Sequence, residues 1–176
     1  MNRRGIYKIA IGGVLTATAV MIMFLGSIIP FATFVAPCLS AMCILYFCLE
    51  FSMRTALVVY AAISLASLLL APDKELVFVF VAITGYYPVV KQMCEKLGSK
   101  FAAYLIKFAV FNASVFLMYW LLLRVFIIAP LKAEFEQYGP AIVAGMLIVA
   151  NITFFLYDII LTRMSLLYIK KTKSPR

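Results

Sequence analysis

The sequence predicts an all-α membrane protein: six transmembrane helices in one domain, with the N-terminus and the C-terminus both cytoplasmic. Three observations carry that expectation. Of the 176 residues, 66% are hydrophobic and only 13% are charged, too little polar surface to wrap a water-soluble core. The apolar residues gather into runs that approach the roughly 20 needed for a helix to cross a bilayer. The lysines and arginines collect in alternate gaps between those runs.

Taken in order, the spans are expected at about 9–29, 31–49, 55–71, 76–90, 101–129 and 140–162. The first starts after the basic segment "MNRRGIYK" and resembles a signal peptide. Its apolar run is too long for one, however, and no small-residue cleavage site follows, so it reads as a retained helix. The break before the second span is "GSIIP", where Gly26 and Pro30 mark a turn with no charge nearby. Arg54 and the segment "PDKE" bound the third. The fourth leaves only 15 residues between Glu75 and Lys91, about 22 Å of helix. It ends in "TGYYPVVKQ", where tyrosines suit a head-group layer, Pro88 stops or kinks the helix and Lys91 marks the water boundary. A short, Gly/Pro-interrupted span is also what a moving or binding segment of a transporter looks like. The fifth and sixth spans flank the polar loop "KAEFEQYG".

Sidedness follows from the cations. With a cytoplasmic N-terminus, Arg3, Arg4, Lys8, Arg54, Lys91, Lys96, Lys100, Arg163, Lys170, Lys171, Lys173 and Arg176 lie inside and only Lys74 and Lys132 outside. That twelve-to-two asymmetry fits an even number of crossings. The net charge of +9 then points to anionic lipid head groups. Nucleic acid is not an expected partner, since none of its binding motifs is present.

Composition also removes chemistry. There is no histidine, so HExxH zinc sites, Ser-His-Asp hydrolases and histidine-ligated haem are excluded. Cys38, Cys43 and Cys48 recur every five residues, which scatters them around a helix axis and prevents them from sharing a metal. Neither a metal nor a cofactor is expected, and the chain does not read as an enzyme.

Polar residues within spans are the functional candidates, because each needs a partner or a purpose in hydrocarbon. On the fifth span Asn112, Phe116, Tyr119 and Leu123 share a stripe, with Trp120 beside it and Arg124 one turn on. Tyr119, Trp120 and Arg124 fall in the outer half and would give an aromatic wall and a cation to a carboxylate ligand. The alternative is an interfacial belt with Arg124 snorkelling. Asn151 sits at mid-depth on the sixth span and could bond a neighbouring helix or a ligand. Asp158 lies about 6 Å from the inner end of its helix and Lys107 about 9 Å from that of the fifth, so an ion pair or shared polar network is expected between them. Ser67 joins the ligand candidates from the third span, on a stripe with Ala56, Tyr60 and Ser64. Small residues form ridges on the first span, Ala10, Gly13 and Ala17 beside Gly12, Thr16 and Ala19, and on the third at Ala62 and Ala66. Such ridges let helix backbones approach closely, within the protein or against another membrane protein.

These features together resemble the substrate-binding S component of energy-coupling factor (ECF) vitamin transporters. Those are small, basic, six-helix proteins whose first and third helices carry AxxxA-type motifs. The residues bearing the resemblance are Gly13 and Ala17 in "GGVLTATA" and Ala62 and Ala66 in "AISLA", with Gly13 in place of the first alanine. The segments "LLLAPDKE" and "GYYPVVK" are also similar to those of small Firmicutes membrane proteins related to this group. The resemblance implies capture of a vitamin-like molecule from outside by Asn112, Tyr119, Trp120, Arg124, Asn151 and Ser67. It implies a lid around Phe31 and Phe34, and a coupling protein docked on Gly13, Ala17, Ala62 and Ala66. ATP hydrolysis would fall to subunits on other chains, since no phosphate-binding loop is present here. The competing expectation is a non-transporting membrane scaffold, which needs the ridges but no ligand.

Overall fold

The computed structural model describes residues 3–29, 32–95, 100–124 and 140–173. Every regular element among them is helical: α1 Arg3–Gly26, α2 Val35–Glu50, α3 Met53–Leu70, α4 Lys74–Val79, a π-helical segment Phe80–Thr84, α5 Tyr87–Cys94, α6 Lys100–Arg124 and α7 Pro140–Lys173. Among the described residues five stretches are long and apolar enough to cross a membrane, the pattern of a multi-pass membrane protein. Outward-facing side chains agree with a lipid solvent: Leu69 is 84% exposed, and Ile9, Val14, Val58 and Leu65 are also bare.

Local sequence explains the ends. Ser52 caps α3 by accepting the Thr55 N–H at 3.4 Å. The helix ends at Ala71, which adopts an extended conformation (φ −77°, ψ 128°) because a residue before proline is disfavoured in the helical region. Asp73 then caps α4, accepting from Leu76 N–H at 3.3 Å, and the Lys74 ammonium donates to the Leu68 and Ala71 carbonyls at 2.8 and 2.9 Å. The segment expected as an outer loop is thus a tight joint that fastens α4 to the end of α3.

Several boundaries differ from the sequence expectation. The second span, expected at 31–49, is a 16-residue helix, about 24 Å long. The fourth is not short: helix runs without a stop from Lys74 to Cys94 over 21 residues, about 31 Å. Pro88 does not end it, because the ring sits in the first turn of α5, where no N–H is required, and the π segment absorbs the change of register just before it. Nor does Lys91 mark a water boundary, being only 1% exposed. The last helix continues past Thr162 to Lys173, since no glycine or proline interrupts "RMSLLYIKKTK".

The helices form two compact units, Met1–Ala103 and Tyr104–Arg176. In the first, α2 is the centre, packed against α1, α3, α4, the π segment and α5. Its fully buried Ile44 and Phe47 join Met23, Ile63, Leu76 and Phe80 in the core. Ser40 Oγ donates to the Ala19 carbonyl at 3.0 Å, tying α2 to α1 through a bond that water cannot weaken. At the end of α1 a Cβ on Gly26 would collide with that of Ala36 and stand 3.3 Å from Leu76, so glycine is what lets α2 and α4 close in. In the second unit α6 and α7 run antiparallel: their contacts pair Lys107 with Asp158, Phe111 with Phe154 and Asn112 with Asn151.

Candidate functional site

The polar residues of the second unit form a ladder between α6 and α7. At one rung the Lys107 ammonium donates to both oxygens of Asp158, 3.2 Å each, and the two residues are 5% and 4% exposed. The ion pair expected from matched helix depths is therefore present. Its charges are compensated where either alone would be costly. The cation also lies 5.2 Å from the Tyr104 ring. Above it, Phe154 stacks on Phe111 at 4.2 Å and meets Phe108 edge-on at 5.5 Å, an aromatic layer that shields the pair.

The next rung is a reciprocal amide pair. Asn112 Nδ2 donates to Asn151 Oδ1 at 2.9 Å, and Asn151 Nδ2 donates back to Asn112 Oδ1 at 3.1 Å. Each amide spends its second N–H on its own helix, at the Phe108 and Leu147 carbonyls, 2.9 and 2.8 Å away. All four donors are used. The two asparagines, named separately as ligand candidates, are thus brought together and occupied with each other. Further along α6, Tyr119 is half-buried and Trp120 is 49% exposed. Arg124 closes the helix, but its side chain lies outside the described residues.

The remaining candidates belong to the first unit. Ser67 is fully buried on α3, and its hydroxyl has no hydrogen-bond partner among the described residues, although helical serines commonly bond back to a carbonyl one turn earlier. Phe34, half of the expected lid, stands 54% exposed at the start of α2, while Phe31 lies outside the described residues. The two ridges of α1 diverge. Gly12 faces the Phe47 ring, with a Cβ there 3.7 Å from it, whereas nothing lies within 4 Å of the corresponding position on Gly13. Gly13 and Ala17 are exposed, as is Ala62 on α3, with Ala66 half-buried. One ridge packs on the core and the other is exposed among the described residues.

Two features escaped sequence reasoning. The first is the π segment, latched by the Tyr60 hydroxyl to the Val81 carbonyl at 2.7 Å; the stripe containing Tyr60 was visible, but a one-residue change of register leaves no mark in hydropathy. The second is the burial of Lys91, which ion-pairs with Glu95 at 3.2 Å.

Comparison with known proteins adds no relative: no protein-family model, no curated protein and no solved structure matches the chain.

Proposed function

We propose that the chain is the substrate-capture component of an ECF-type uptake transporter of a bacterial cytoplasmic membrane. In this reading α2 supplies a sixth crossing and both termini are cytoplasmic. The carrying observation is the small-residue ridge of α1 that is exposed among the described residues. Gly13 and Ala17 are turned away from the protein's own core, and a neighbouring helix gains close backbone contact only where such residues are bare. The partner on that ridge is a transmembrane coupling protein, with ATPase subunits attached to it on other chains. A vitamin-like molecule is taken from the outer side, near Tyr119, Trp120 and Arg124.

A second reading, a membrane scaffold that transports nothing, is favoured by the Asn112–Asn151 pair, whose amides hold no donor in reserve for a ligand. Purification in mild detergent followed by mass spectrometry separates the two. The transport reading expects a retained small molecule and co-purifying ATPase subunits, with the ATPase subunits lost or reduced when Gly13 is replaced by leucine. A bare protein whose partners include no ATPase, or a Gly13→Leu variant that keeps its ATPase partners, overturns it.

A further inference from the structure

The helix from Lys74 to Cys94 contains an extra residue. In an α-helix the Gly85 N–H would bond to the Val81 carbonyl, four residues back. Here it donates to Phe80 instead, at 2.8 Å, the longer step of a π-helix. The Val81 carbonyl takes its proton from another helix, the Tyr60 hydroxyl of α3, at 2.7 Å. Tyr60 reaches it only because Gly85 lacks a side chain: a Cβ there would stand 2.8 Å from two Tyr60 ring carbons and from the Phe80 carbonyl. Three residues later Pro88 has no N–H to return to the Thr84 carbonyl, so that residue contributes no bond to fix the register.

The two halves of this helix meet different surroundings. The first is fastened to the end of α3 by the Lys74 bonds to the Leu68 and Ala71 carbonyls, and its own first turn is capped by Asp73, which accepts from Leu76 N–H. The second carries Lys91 and Cys94, 1% and 3% exposed, on a helix that packs against α2. Glu95, which ion-pairs with Lys91, has a side chain 47% exposed, so turning α5 outward would return a buried ammonium to a better-solvated site.

We infer that Phe80–Thr84 is a two-state register switch, held in its π form by the Tyr60 hydroxyl. When that hydroxyl lets go, Gly85 N–H returns to Val81 and the extra residue is taken up as α-helix. α5 then rotates about 100° and advances about 1.5 Å relative to α4. Lys91 and Cys94 leave the face against α2 and become accessible. The inference rests on the first unit alone and holds whether or not the protein transports anything. The competing account is a fixed insertion that merely accommodates Pro88.

The test uses the full chain in nanodiscs with Cys38, Cys43 and Cys48 replaced by alanine, and reads the rate at which N-ethylmaleimide modifies Cys94. Removing one hydrogen bond by Tyr60→Phe is expected to speed labelling about fivefold, with helicity unchanged. Gly85→Ala, which displaces the ring but keeps the hydroxyl, is expected to do the same. Deleting Ala82 removes the extra residue while leaving both flanking helices on their present faces, so Cys94 should stay slow and Tyr60→Phe should have no further effect. The inference is overturned by a folded Tyr60→Phe protein that labels at the parental rate, by an equal acceleration in the deletion background, or by a deletion that unfolds the chain. Should Tyr60→Phe itself fail to fold, the Gly85→Ala rate and the deletion decide.

Discussion

Neutralising Asp158 while keeping its shape, as Asp158→Asn, strikes the buried ion pair that joins α6 to α7 among the described residues. Both carboxylate oxygens lie 3.2 Å from the Lys107 nitrogen. At an effective dielectric near 20 the gross attraction at that distance is about 5 kcal/mol. Most of it offsets desolvation, but removing one partner leaves the other charge buried and uncompensated, which typically costs about 3–5 kcal/mol. Lys107 keeps the Tyr104 ring 5.2 Å away and a long stem that can carry its head outward. The expected loss is therefore near the lower end, about 3 kcal/mol. Reversible unfolding in dodecyl maltoside micelles with rising SDS would measure it, read by the chain's single tryptophan, Trp120. Replacing both partners with apolar residues of similar volume, Lys107→Met with Asp158→Leu, should recover the parental stability to within about 1 kcal/mol. A loss below about 1 kcal/mol for Asp158→Asn, or a double variant no better than the single, would show that the pair does not hold the hairpin.

The same unfolding assay checks three further expectations. Asn112→Ala strands half of the Asn151 amide and should destabilise by about 0.6–2 kcal/mol, the range of hydrogen bonds between membrane helices. Ser67→Ala removes a buried hydroxyl with no partner among the described residues and should be neutral or stabilising by up to about 1 kcal/mol; a clear loss would reveal a bound group that the hydroxyl serves. Gly26→Val forces side-chain atoms against Ala36 and Leu76 and should lose about 1–3 kcal/mol, whereas Gly13→Leu, facing open space, should stay within about 0.5 kcal/mol.

What could be read from the sequence was whatever depends on helix period and length. The apolar runs mark the helices, and a rise of 1.5 Å per residue from each inner end puts Lys107 level with Asp158. Asn112 and Asn151 were singled out because an amide in hydrocarbon needs a partner, yet composition does not say that each is the partner of the other. The fourth helix departs from its sequence pattern for a physical reason. Pro88 and Lys91 are the usual signs of a helix end at a water boundary, but a proline in a first turn is harmless and a lysine can be buried against a carboxylate. The π segment was invisible because one extra residue alters a hydrogen-bond ladder and not an apolar pattern. Sequence also could not separate the two α1 ridges: both are small, and only the packing of α2 decides that Gly12 faces Phe47 while Gly13 faces outward.

The proposed function depends on the way the helices thread the bilayer. Single cysteines at Asn2 and Ser174, in a chain whose own four thiols are replaced, report it directly through a membrane-impermeant maleimide. Neither site should react in intact cells, and both should react once the membrane is permeabilised. Labelling of either end from outside would contradict the proposed six-crossing arrangement and, with it, the sides proposed for ligand and coupling partner.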